Sequence, residues 1–262
     1  MDGNEQSNAS ISVSVGPKRE KVREAFLRLG SRQFQIETMC EEINEKFKLP
    51  YGKVHELDGE FGVGKTQLCY SLMAKFLQSN PTRRAVWINR NRTLETEAFL
   101  RHYYREGEDA TTSTQNMAAV LDRIMVISVE DRFEFVNTLK ELLDKITSLD
   151  LRLVIVDDVD CILYESALTF RDGQGSEELL GAMRGLQALT KRGLAVIITN
   201  HLTAGDDNRL SPMLGVAWAK SISSHIGIFR HPDNSREISF RERDGTVSYV
   251  RFHITDSGLF KA

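Results

Sequence analysis

Hydrophobic positions along the chain follow two periods that take turns. Lys53-Val54-His55-Glu56-Leu57 alternates as a strand does, and from Thr66 to Gln78 the residues Leu68, Leu72, Phe76 and Cys69, Met73 recur at helical spacing. Ala85-Val86-Trp87-Ile88 reads as the next strand, and Leu94, Phe99, Leu100 and Tyr103 as the stripe of a helix. Ile124-Met125-Val126-Ile127 is a third strand, and Phe133 to Leu149 a strongly amphipathic helix through Phe135, Val136, Leu139, Leu142, Leu143 and Ile146. Leu151 to Val156 and Leu194 to His201 are near-continuous β-branched runs, the pattern of strands buried on both faces of a parallel sheet. Between them lies a helix with Leu179, Leu180, Met183, Leu186 and Leu189. After residue 225 the rhythm becomes simple alternation. Ile226 to Arg230, Arg236 to Arg241 and Val247 to Ile254, with turns at Pro232-Asp233-Asn234 and Asp244-Gly245, read as an antiparallel meander. Strands alternating with helices and followed by a meander define an α/β fold: a mostly parallel central sheet flanked by helices, with C-terminal antiparallel strands.

The segments outside this pattern set the domain limits. Residues 1–17 are rich in Ser, Asn and Gly, end in Pro17 and offer nothing to bury, so a disordered tail is expected. Residues 18–50 read as a helical lead-in of two short amphipathic helices. Val22, Phe26, Leu27 and Leu29 mark the first, and Ile36, Met39, Ile43 and Phe47 the second, which ends near Pro50. Residues 51–262 form the core. Within it Glu106 to Gln115 is a polar link, and 164–176 and 202–217 are long polar loops on one edge of the sheet. Loops of that length in a compact domain usually carry function.

The chemistry is concentrated at Gly59-Glu60-Phe61-Gly62-Val63-Gly64-Lys65-Thr66-Gln67, which satisfies G-x-x-x-x-G-K-[ST] at Gly59, Gly64, Lys65 and Thr66. A strand before it and a helix behind it supply the context that a phosphate-binding loop requires. Glycines clear the Cβ atoms from the path of a polyphosphate, and the helix that follows aims its free N–H groups and positive dipole end at the same point. Lys65 supplies a point charge to the terminal phosphates, and Thr66 a hydroxyl for Mg²⁺. Asp157, the first acid after the apolar run 151–156, then answers as the carboxylate that holds Mg²⁺ through water, at the strand end where ligands gather in such folds. The expected cofactors are ATP and Mg²⁺.

Charge and cysteine usage narrow the partners. With Lys+Arg 34 against Asp+Glu 37 the net charge is −3, which excludes a free-standing strongly basic DNA-binding module and leaves any nucleic-acid contact local. Cys40, Cys69 and Cys161 are far apart in apolar surroundings, with no C-x-x-C spacing, so reduced and buried thiols are expected. No apolar run approaches a membrane span, and the start Met1-Asp2-Gly3-Asn4-Glu5-Gln6 is unlike a signal peptide.

The spelling of these stretches adds a family. Gly59 to Cys69, Leu153-Val154-Ile155-Val156-Asp157 and Val196-Ile197-Ile198-Thr199-Asn200-His201 resemble eukaryotic and archaeal strand-exchange recombinases of RecA-like fold. Arg209-Leu210-Ser211-Pro212-Met213-Leu214-Gly215 with Trp218 resembles the Rad51 paralogues, the D type above all, and the likeness runs from about residue 50 to the carboxyl end. The resemblance implies a mediator of homologous recombination and DNA repair in the nucleus, although Lys18-Arg19-Glu20-Lys21 is too short and mixed for an import signal. Such a protein binds a recombinase filament or another paralogue and stabilises or remodels filaments on single-stranded DNA. Loops 164–176 and 202–217 would face DNA, and His201 would sit at the γ-phosphate sensor position.

Three departures qualify the likeness. Asn91 stands where catalytic recombinases keep a water-activating glutamate, and Ala98 where they use an arginine near the adenine. Arg241-Glu242-Arg243-Asp244-Gly245 replaces the proline-bearing cap, and the amino-terminal helical domain is shortened. Losing a general base costs about 10²- to 10⁴-fold in rate, so nucleotide binding is expected to outlast hydrolysis. The alternative is an active DNA-dependent ATPase and strand-exchange protein whose base is Glu95, Glu97 or Asp158. Against it, Arg171 and Arg209 are the only basic residues in the two loops. A small-molecule P-loop kinase is a third class, and the carboxyl-terminal meander is foreign to that architecture.

Overall fold

A computed structural model describes residues 35–90, 94–104, 114–171, 177–204, 210–241, 245–256 and 258–262. The chain enters through β1 (Gln35–Ile36), α1 (Glu41–Asn44) and β2 (Leu49–Pro50). Then follow β3 (Val54–Gly59), α2 (Lys65–Ser79), β4 (Arg84–Arg90), α3 (Thr96–Tyr103), α4 (Thr114–Leu121), β5 (Ile124–Val129), α5 (Arg132–Leu149) and β6 (Leu151–Val156). The second half comprises α6 (Val159–Arg171), α7 (Glu177–Lys191), β7 (Ala195–Ala204), β8 (Leu210–Pro212), α8 (Gly215–Ser221), β9 (Ser224–Arg230), β10 (Arg236–Arg241), β11 (Val247–Thr255) and β12 (Gly258–Lys261).

One large sheet runs in the order β12-β11-β10-β9-β3-β7-β6-β4-β5. From β9 to β5 every neighbour pair is parallel, and β9, β10, β11 and β12 pair antiparallel. Side chains that alternate along a strand divide between two cores. Leu153 and Ile155 of β6 face the cluster that holds Leu68, Leu72, Phe76 and Phe99, while Val154 and Val156 face Phe135, Leu163, Leu186 and Trp218. Both faces of β6 are therefore buried, as its apolar run requires. Because parallel strands point one way, the ends of β3, β4, β6 and β7 gather on one edge. Among the described residues no helix is long and apolar enough to cross a membrane.

Four expectations need correction. Residues 36–47 are helical only over Glu41–Asn44: Thr38 and Asn44 fold the chain on itself, with the Thr38 N–H and Oγ1 both donating to Asn44 Oδ1 at 2.8 Å and Asn44 Nδ2 donating to Thr38 O at 2.9 Å. The helical spacing nonetheless marked the buried side, since Ile36, Ile43 and Phe47 join the same core as α2. The segment 164–176 is helical as far as Arg171, because Val159, Ile162, Leu163 and Ala167 form a buried stripe. In 202–217 the chain continues β7 to Ala204 and returns as β8, with Leu202 opposite Pro212, before entering α8. Cys161 is exposed, unlike Cys40 and Cys69. Helix α4 begins inside the expected polar link, seated by Val120, and β12 closes the sheet edge through Leu259. The expected tail 1–17, the first lead-in helix, and residues 172–176 and 205–209 of the two loops lie outside the described residues.

His55 gives the fold a pH dependence. It is fully buried, its Nε2–H donates to Pro50 O at 2.8 Å, and burial pushes its pKa down to about 4. A folded-state pKa below the ordinary 6.5 means that stability is complete above about 6.5 and is lost as pH falls toward 4, by about 3 kcal/mol. Urea unfolding across that window will show the loss, and His55→Gln will flatten the slope; an unchanged slope contradicts the assignment.

Candidate functional site

The phosphate loop leaves β3, which is flanked by β9 and β7. Sterics at its two ends show why glycine is required. A Cβ on Gly59 would stand 2.7 Å from the backbone oxygen of Ile228 in β9, and Gly64, at φ 106° and capping α2, would drive a Cβ into Ile254 Cδ1. The cradle between them suits a group that approaches backbone N–H donors closely. Val63 is buried and its carbonyl accepts a 3.0 Å hydrogen bond from Arg236 Nε, so β10 holds the loop from behind. Glu60 and Phe61 are exposed, Phe61 at 83%.

Lys65 is buried, and its ammonium donates to Gly59 O and Glu60 O at 3.0 Å each. Burial lowers its pKa, opposed by Asp158, Asp160 and Asp157. A buried cation at the mouth of the helix, aimed along the loop, is the chemistry for a polyphosphate. Gln67 turns to α3, where its Oε1 lies 2.8 Å from His102 Nε2.

The two residues expected around Mg²⁺ meet although 91 positions separate them. Thr66 Oγ1 donates to Asp157 Oδ1 at 3.2 Å and Oδ2 at 3.1 Å, and Thr199 Oγ1 donates to Asp157 Oδ1 at 2.9 Å. Burial, then the neighbouring Asp158, pushes the Asp157 carboxyl up to about 6. A hydroxyl facing a carboxylate beside a glycine cradle is a donor set that fits Mg²⁺: Thr66 and Asp157 would hold the ion, which would supply positive charge to the phosphates. Asp158 has φ 58° and its N–H donates to Thr199 Oγ1 at 2.7 Å, so Thr199 positions both acids.

His201 reaches the same edge. Its Nδ1 lies 2.9 Å from Asp160 Oδ2, its Nε2 3.8 Å from Asp158 Oδ1, and its ring stacks with Phe61 at 5.8 Å between centroids. These groups border a cleft of about 570 Å³ that Arg90 and Tyr164 also line. Asn91 lies outside the described residues. Ala98 is buried in the core, whereas Glu95 and Glu97 are exposed. Sequence reasoning missed Arg236, Thr199 and Glu56. Glu56 is fully buried, and its Oε1 accepts from Trp218 Nε1 at 2.6 Å and Asn200 Nδ2 at 2.9 Å. Only Glu56 gave any signal, an acid in a strand buried on both sides.

A glycine cradle between a central strand and a helix, with a threonine and a remote strand-end aspartate facing each other, defines a P-loop nucleotide-binding protein of RecA-like fold. The chain belongs to the Rad51 family, whose model matches residues 31–257. It is 33% identical over 246 residues to RAD51-like protein 1 of Caenorhabditis elegans, covering 92% of this chain and 95% of that protein. It is 28% identical over 183 residues to DNA repair protein RAD51 homolog 4 of Mus musculus, covering 67% of this chain and 54% of that one. RAD51 homolog 3 of Dictyostelium discoideum matches at 25% over 222 residues, 74% of this chain and 56% of that protein. Homologs 3 and 4 both match, so the likeness is to the Rad51 paralogues as a group, and the D type is not singled out. The family binds nucleotide, usually with Mg²⁺.

Proposed function

We propose that this chain acts in homologous recombination and DNA repair as an ATP-binding mediator that grips its nucleotide and splits it slowly. The backbone of 59–67 and Lys65 take the phosphates, and Thr66 and Asp157 take Mg²⁺. His201 links the γ-phosphate to the β7–β8 hairpin. The observation that carries the reading is the pairing of Thr66 with Asp157 beside a buried Lys65. Slow hydrolysis rests on Asn91 at the position of the usual glutamate. The partner is a recombinase filament or another paralogue in a heteromeric nuclear complex, and single-stranded DNA is a contact of the edge formed by 164–176 and 202–217. Weak direct DNA binding fits the two arginines, Arg171 and Arg209, among several acids there.

The test follows recombinase on single-stranded DNA in the presence of this chain and its copurified partner. A filament lifetime extended in an ATP-dependent way supports the reading. An unchanged lifetime contradicts the reading, and strand exchange by this chain alone supports the active-recombinase alternative.

A further inference from the structure

One buried acceptor at the ligand edge has no donor. Asn89, near the end of β4, is 4% exposed, and its side-chain oxygen Oδ1 is sealed from solvent without a hydrogen-bond partner among the described residues. A buried polar oxygen left in this way destabilises a fold, and a leucine of nearly the same shape would avoid the cost. Folding alone therefore gives no reason for a carboxamide here.

The register places this oxygen. Ile88 pairs with Val156, and the Asp157 N–H donates to Ile88 O at 2.8 Å, so β4 and β6 stay paired up to Asn89 and Asp157. Trp87 and Ile155 both join the core around α2, and side chains two apart on a strand share a face. Asn89 and Asp157 thus stand side by side beneath α2, on strands about 4.8 Å apart. The helix adds the third member. Tyr70 stacks on Trp87 with 5.1 Å between centroids. Thr66 lies one helical turn before Tyr70, about 6 Å nearer the phosphate loop, and Asn89 lies two residues beyond Trp87, about 6.6 Å toward the same edge. The layer beyond the Trp87–Tyr70 stack is Asn89 beside the Thr66–Asp157 pair.

That pair is where the donor set fits Mg²⁺, an ion that keeps several waters of its own. Water on a cation is a strengthened hydrogen donor and needs acceptors around it. Asp157 Oδ1 already receives the hydroxyls of Thr66 and Thr199, which leaves the carboxylate little capacity on that side. Metal sites commonly enlist a neighbouring polar group for this purpose. Resting on the nucleotide reading above, we infer that Asn89 is a positioning residue whose Oδ1 accepts from a water held by the ion at Thr66 and Asp157, so that its missing donor arrives with the bound metal.

Binding of a fluorescent non-hydrolysable ATP analogue to the full chain, titrated with Mg²⁺ and repeated in EDTA, tests this without any turnover. Asn89→Leu should raise the Mg²⁺ concentration needed for half-maximal binding by about tenfold or more, leave the metal-free affinity unchanged, and melt no lower than the wild type in the absence of ligands. Asn89→Asp keeps an acceptor oxygen and should require no more Mg²⁺ than the wild type. An unchanged Mg²⁺ requirement in Asn89→Leu would overturn the inference while leaving the nucleotide reading standing. Equal weakening with and without the ion would assign Asn89 a structural role and overturn it too, as would an Asn89→Asp variant no better than the leucine. A wild type whose binding ignores Mg²⁺ would overturn both.

Discussion

Lys65→Ala should weaken binding of ATP–Mg²⁺ by about ten- to hundredfold. Its ammonium is buried and already aimed along the loop, so a phosphate would meet a preset cation, and a charged hydrogen bond of that kind contributes about 1.5–3 kcal/mol. Binding of a fluorescent ATP analogue gives the measurement. Unchanged affinity would mean that the cradle does not receive the phosphates. Lys65→Arg should recover little of the loss, because a planar guanidinium cannot occupy the point between the Gly59 and Glu60 carbonyls that the ammonium fills. The fold should survive both changes, since Lys65 belongs to neither hydrophobic cluster.

The second large effect concerns Trp218, which is fully buried in the core beneath β7 and donates to Glu56. Trp218→Ala should destabilise the chain by about 3–5 kcal/mol, because the site cannot collapse around so large a void. Trp218→Phe keeps most of the volume and removes only the N–H. It should cost about 1–3 kcal/mol, since Asn200 still donates to Glu56 Oε1. Chemical denaturation of both variants separates packing from hydrogen bonding. A Phe variant as stable as the wild type would show that the bond to Glu56 contributes nothing.

These two residues also mark how far the sequence could be read. Lys65 was legible because the chemistry of phosphate binding forces its neighbours into a fixed local spelling. Asp157 was legible because a doubly buried strand must end at the ligand edge, and a separation of 91 positions from Thr66 does not alter that rule. Trp218 could be tied to the family likeness but not to a partner 162 positions away. Nothing local encodes such a contact.

The misread segments failed through dilution and closure. From Tyr164 onward Glu165, Ser166 and Thr169 mask a stripe begun by Val159, Ile162 and Leu163, so a helix looked like a polar loop. Residues 36–47 carried the right buried positions on a backbone that is helical only over Glu41–Asn44. The side-chain bonds of Asn44 to Thr38 close a tight loop there, and a carboxamide competing with the backbone in this way leaves no periodic trace.

On the proposed reading the nucleotide grip has been kept while the hydrolytic group, replaced by Asn91, has been lost. A paired measurement on one purified sample tests it most directly: equilibrium affinity for ATP–Mg²⁺, and single-turnover hydrolysis with and without single-stranded DNA. Tight binding with turnover near background, rising on Asn91→Glu, is the result this account predicts. Rapid DNA-stimulated hydrolysis by the unmodified chain, or no affinity for ATP at all, would contradict it.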